Sequence, residues 1–173
     1  SVDFPHSIGI FYTAFTQLLG FPHYGDEYKV MGMAPYGRPK YVDKLEKIIH
    51  LTDNGLFRLD LKYFRKGTEG VISYGEDHVP VVQPMFSEAM TGLFGPARQK
   101  EEELTQYHKD LAASVQRITE KTIFHIMESL QKKTGLANVG RAGGVAQNSV
   151  ANGKIKTNTS LKNIYIPSAG HDA

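Results

Sequence analysis

No cysteine occurs in the 173 residues, which excludes a disulfide framework and a thiolate metal centre and fits a cytoplasmic protein. No run of 18 apolar residues is present, so no membrane span is expected. Charge of one sign is also missing. Lys and Arg number 20 against 18 Asp and Glu, a net +2, and the basic residues are scattered, which leaves no electrostatic case for a nucleic-acid partner. The chain has no Gly-Lys-Ser/Thr phosphate loop and nothing that supports a Ser-His-Asp arrangement. None of its 7 histidines has the His-x-x-x-His spacing that puts two metal ligands on one helix face. It opens on Ser1-Val2-Asp3 without a basic, apolar leader and stops at Ala173 just after a strand-like run, so a piece of a larger protein is expected.

What is there is the composition of one soluble globular domain: 40% hydrophobic, 22% charged, with 9 Tyr and 9 Phe. Ile8, Phe11, Phe15, Leu18 and Leu19 predict a helix that Gly20 stops. Short helices are expected over 27–33 and 41–49. Asp53-Asn54-Gly55, between Leu51 and Leu56 to Leu59, predicts a hairpin. A weaker strand is expected over 71–74 and a helix over 84–94. The region of about 51–100 reads as a mixed insertion on an α/β core. Leu104, Tyr107, Leu111, Val115, Ile118, Ile123, Ile126, Met127 and Leu130 form one apolar stripe ended by Gly135, the mark of a long helix. A strand at 138–142, a helix at about 147–155 and a strand at 163–166 complete an alternation that predicts an α/β domain with parallel strands. Ligands in such sheets bind beyond the carboxyl ends of strands, where Gly143-Gly144 and Ser168 to Asp172 fall.

Gly143 and Gly144 are therefore candidate ligand contacts, because a backbone without Cβ can lie against a nucleotide and a following helix start offers N–H donors to an anion. Asn148 follows in the same block. Asp26, Glu27 and Lys29 stand at a turn-to-helix junction. They serve either the helix dipole or a ribose and a phosphate. Asp172 suits a cation, a hydroxyl nucleophile or the cap of a further helix, and His171 beside it a ligand, a base or a surface residue. His6 either caps a helix or lines a pocket. Arg141 places a charge in the strand before the glycines, costly unless it lies at an end or is paired.

Three blocks resemble the nodulation-type O-carbamoyltransferases: Phe4-Pro5-His6-Ser7-Ile8-Gly9 with Tyr12 and Thr16, Gly25-Asp26-Glu27-Tyr28-Lys29-Val30-Met31-Gly32-Met33-Ala34-Pro35-Tyr36-Gly37, and Gly143-Gly144-Val145-Ala146 with Asn148 and Asn152. Leu111 to Gln116 also match the family's style. The resemblance implies a ribonuclease-H-like fold of the actin, sugar-kinase and Hsp70 type, with this chain most of the second lobe. The first lobe and a YrdC-like domain would lie in the same polypeptide outside it. It implies that ATP and carbamoyl phosphate give a carbamoyl-adenylate, whose carbamoyl group passes to a hydroxyl-bearing small-molecule acceptor near a bound divalent metal, taken as iron. Asp172 would be its metal ligand and catalytic residue. Gly143, Gly144 and Asn148 would contact the adenylate, with Asp26, Glu27 and Lys29 near its ribose or phosphate. Competing readings are a sugar-kinase-type phosphotransferase and a non-catalytic nucleotide-binding module.

Overall fold

The protein, seen as a computed structural model, is described over residues 1–65, 71–74 and 80–168, the side chains of 71–74 and 80–82 excepted. Gly170, His171 and Asp172 lie outside the described residues. One long helix organises everything else. In chain order come α1 (Ile8–Leu18), α2 (Glu27–Met33), a 3-10 turn (Ala34–Tyr36), α3 (Val42–Leu45), the antiparallel pair β1 (Ile49–Leu51) and β2 (Phe57–Leu59), and the antiparallel pair β3 (Val71–Tyr74) and β4 (Pro80–Val82). There follow α4 (Glu88–Phe94), α5 (Gln106–Thr134), β5 (Asn138–Gly140), a 3-10 turn (Gly144–Gln147), α6 (Ser149–Asn158) and β6 (Asn163–Tyr165), which pairs parallel with β5. The mixed α/β composition and the parallel β5–α6–β6 unit expected from sequence are both present.

The single apolar stripe understates how α5 is used, because three of its faces are covered. Leu111, Val115 and Ile118 enter the main core with Phe11 and Phe15 of α1, Val30 of α2 and Met90 of α4. Ile123 and Met127 join a second cluster with Ala151 and Ile155 of α6 and Leu161. A third face, Gln106, Asp110 and Ser114, is polar and receives the chain after α2. Leu130, at the end of the expected stripe, is 48% exposed. A helix enclosed on several sides must bury polar residues too. Ser114, Thr119 and Thr122 satisfy their hydroxyls on carbonyls four residues back.

Several boundaries differ from expectation, two of them ahead of α5. The helix expected over 41–49 closes at Leu45, and Ile49 turns into β1 opposite Leu59. Strand pairing with the hairpin overrides a short, uncapped helix. The helix expected from residue 84 begins at Glu88, after Phe86 bridges Phe64 and the Arg65 N–H reaches the Met85 carbonyl. Residues 57–64 and 90–94 contribute Phe57, Leu59, Tyr63, Phe64, Met90 and Phe94 to the main core. The middle region thus shares the core of the rest.

The segment after α2 docks on α5 through a buried carboxylate. Asp110, 2% exposed, accepts the Arg38 N–H and the Gln106 amide at 2.8 Å each and pairs with Lys40 at 2.8 Å. The Ser114 hydroxyl accepts the Tyr41 N–H at 3.0 Å. The Lys40 ammonium, with the Arg38 N–H and the Gln106 amide, holds the Asp110 carboxyl well below the usual carboxylate range. A depressed native pKa adds stability that is fully present above the unfolded value, about 3.9, and is lost as pH falls through the native one. Asp110→Asn should therefore unfold at lower denaturant than wild type at pH 7. The gap should narrow steadily below about pH 4, and a gap that widened on acidification would refute the latch.

Candidate functional site

The glycine turn is built by the end of β5 and the start of α6. Gly143 sits at φ 90°, ψ 162°, a conformation open to glycine and little else. A one-turn 3-10 helix over 144–147 follows, and α6 starts only at Ser149. The expected direct step from glycines into an α-helix is thus interrupted by four residues. Among the described residues, the N–H groups of Gly143, Gly144 and Val145 meet no acceptor, while those of Ala146 and Asn148 close the turn. A Cβ on Gly143 or Gly144 would touch nothing within 4 Å. Among the described residues the turn therefore shows open space at its two Cβ positions and three consecutive N–H groups without an acceptor, an arrangement that can accept an anion.

Its other side is anchored. Ala146 is buried at 1% exposure. Arg141, just past β5, donates to the Val145 carbonyl at 2.7 Å and to Asn152, whose amide in turn donates to the Ala146 carbonyl at 2.7 Å. Burial lowers the Arg141 guanidinium to about 10, so it is still a cation at neutral pH. The charge that looked out of place in a strand lies at the strand's end and clasps the turn.

Asn148 is committed to structure. Its Oδ1 caps α6 by accepting the Ala151 N–H at 2.9 Å, and its carboxamide exchanges two hydrogen bonds with Gln116 of α5. Gln116 also accepts from the Tyr12 hydroxyl at 3.0 Å and donates to Glu120 at 3.0 Å, and Glu120 pairs with Lys154 at 2.7 Å. Burial, with the carboxylates of Glu27 and Glu120 nearby, pushes the Tyr12 phenol up, so it remains a donor across the physiological range. Among the described residues no buried side-chain nitrogen or oxygen lacks a partner.

The acidic junction divides. Asp26, 6% exposed, pairs with Lys29 at 2.6 Å and accepts the His23 N–H, which closes the turn ahead of α2. That bond raises the Lys29 pKa, and the ammonium lies 5.5 Å from the centroid of Phe21. Glu27 turns the other way and accepts the Thr13 hydroxyl at 2.6 Å. The Met31 sulfur lies 3.7 Å from the Ser149 hydroxyl at the start of α6, and Gly9 in the first turn of α1 lies beside Val145. The acidic junction and the glycine turn thus flank the same half of α1, with Glu27 the member of the acidic trio directed there.

Ser7, not His6, caps α1, its hydroxyl accepting from Gly9 and Ile10. His6 accepts the Leu59 N–H on Nδ1 at 3.1 Å, which fastens the hairpin and leaves the ring proton on Nε2. It lines a depression of about 570 Å³ with Phe4 and Arg58. Another, of about 510 Å³, lies over Tyr36, Lys40 and Asp110. Both lie away from the glycine turn. Among the described residues no three His, Asp or Glu side chains cluster closely enough to hold a metal ion. Asp172, the implied metal ligand, lies outside the described residues, and the described residues do not compose a metal site.

Glu120, Lys154 and Thr13 escaped sequence reasoning. A signal existed: Gln116, Glu120, Ile123 and Met127 repeat at spacings of four, three and four, so the two polar residues continue the apolar face that meets α6.

These features define a mixed α/β unit whose Cβ-free turn presents backbone donors beside a buried polar platform. The chain belongs to the carbamoyltransferase N-terminus family, whose model matches residues 1–173. It is 42% identical to an uncharacterised protein of Synechocystis, sll1178, over 99% of its length and 26% of that protein's. It is 33% identical to nodulation protein NolNO of Sinorhizobium fredii, over 96% of this chain and 21% of that one. Nodulation protein NolO of Bradyrhizobium diazoefficiens is also 33% identical, with coverage of 99% and 28%. The chain thus spans about a quarter of the length of these curated relatives.

Proposed function

We propose that the chain is the nucleotide-holding part of an ATP-dependent O-carbamoyltransferase, a lobe of ribonuclease-H-like type that works with the rest of a longer polypeptide. What supports this reading is the row of N–H groups at Gly143, Gly144 and Val145, which meet no acceptor among the described residues, in a turn that Arg141 clasps. Membership of the family supports the carbamoyl chemistry.

In this reading the donors of the turn take the phosphate of carbamoyl-adenylate, and Glu27, held by Thr13, faces the ribose hydroxyls. Asp26 and Lys29 fix the approach to α2 and support Glu27 rather than the ligand. Carbamoyl-adenylate is a mixed anhydride. The acceptor hydroxyl oxygen forms a bond to the carbamoyl carbon, the carbon–oxygen bond to the phosphate breaks, AMP leaves with that electron pair, and the hydroxyl proton passes to a base. Positioning the acceptor against the anhydride is the main task, since the leaving group is already good. Asp172 is proposed to act near the reacting carbonyl.

The full-length protein, given ATP, carbamoyl phosphate and a hydroxyl acceptor, should release AMP, pyrophosphate and phosphate in equal amounts with carbamoylated product. Release of ADP would establish a sugar-kinase-type reaction instead. Nucleotide binding without turnover of any acceptor would leave a binding module.

A further inference from the structure

We infer that Gln116 is a positioning residue for the glycine turn, its carboxamide fixing Asn148 and through it the line of donors that meets the nucleotide. The inference rests on the nucleotide reading of that turn and adds to it a residue that lies outside the turn and outside the acidic junction.

Gln116 uses its full hydrogen-bonding capacity. Oε1 accepts from Tyr12 at 3.0 Å and from Asn148 Nδ2 at 2.9 Å; Nε2 donates to Asn148 Oδ1 and to Glu120 Oε1, both at 3.0 Å. The amide has one orientation. Rotated by half a turn, its oxygen would face the Glu120 carboxylate, acceptor against acceptor. Glu120 is 1% exposed and bound by Lys154 at 2.7 Å, so the group that enforces the choice is itself held. The order then passes outward: Gln116 sets the Asn148 rotamer, and Asn148 fixes where the turn ends and α6 begins.

The same helix face shows what packing alone would use. Further along it, Ile123 and Met127 meet α6 with apolar side chains. Apolar residues at 116 and 120 would spare the desolvation of an amide and a carboxylate. A fully satisfied polar network in their place gives a unique geometry that apolar contacts do not specify.

The test uses the full-length protein and AMP as probe, with affinity measured by titration, which reports folded molecules only. Gln116→Met keeps the length and removes every hydrogen bond. We expect AMP affinity to fall about 10-fold, with KM for ATP rising similarly and kcat changing less than about 2-fold. Lys121→Ala, on the same helix as Gln116, breaks an exposed pair with Glu46 and should leave AMP affinity at the wild-type value. Unchanged AMP affinity in Gln116→Met overturns the inference, as does an equal loss in Lys121→Ala. Should Gln116→Met fail to fold, Tyr12→Phe removes one bond to the amide and should weaken AMP about 3-fold; wild-type affinity there overturns it equally. Wild-type protein that binds no AMP would sink the nucleotide reading first, an outcome seen before any variant is made.

Discussion

Replacing Gly37 by alanine should cost the protein about 3 kcal/mol or more. The backbone of Gly37 is extended, φ −113°, so conformation is not at issue. Space is. A Cβ would overlap the Lys109 carbonyl and stand 2.7 Å from the Asp110 nitrogen. Those atoms belong to the backbone of α5, which cannot yield because its other faces are packed against α1 and α6. The chain from Ala34 to Tyr41 must instead lift away, and the Arg38 and Lys40 contacts to Asp110 go with it. Gly32→Ala, five residues earlier in α2 and facing open space, provides the contrast. It should be neutral or stabilising by about 0.5–1 kcal/mol, since alanine is the better helix former. Chemical denaturation of the full-length protein checks both, and equal behaviour of the two variants would mean that the close approach at Gly37 is wrong.

Gly144→Val should do the opposite, sparing the fold and removing the ligand. No positive φ and no neighbour within 4 Å demands glycine at 144, so the side chain projects into open space and stability should change by less than about 1 kcal/mol. That space is where a phosphate would approach the free N–H groups, and glycines in such turns exist to permit the approach. AMP affinity and kcat/KM for ATP in the full-length protein should fall at least about 10-fold, equivalent to one missing contact of about 1.4 kcal/mol. A stable Gly144→Val variant with wild-type kinetics would remove the turn from the site.

The contrast between the two glycines shows where sequence reasoning stops. Both stand in blocks that mark the family, and nothing in their spelling says that one is glycine for packing and the other is free of any intramolecular demand. The answer depends on α5, distant in sequence, in one case and on the lack of any described neighbour in the other. The acidic trio at 26, 27 and 29 behaves likewise. Helix-start chemistry and ligand contact are both compatible with the sequence, and the structure sends Asp26 and Lys29 to each other and Glu27 to α1. Arg141 looked like a flaw in a strand until Val145 and Asn152 supplied its partners.

The sequence by itself determined the helices with strong periodicity, the hairpin at Asp53-Asn54-Gly55, the parallel strand–helix–strand ending, the family and the turn at Gly143-Gly144. Each of these is local in origin, set by period, by turn chemistry or by a short motif. Only the tertiary structure decided that α5 serves three partners at once, and that Gln116 and Glu120, Asp110 and Ser114 are buried working parts of it. It also decided that residues 57–64 and 90–94 share the main core. Burial of a polar side chain is affordable only once its partners arrive from distant segments, and no window along the chain contains both.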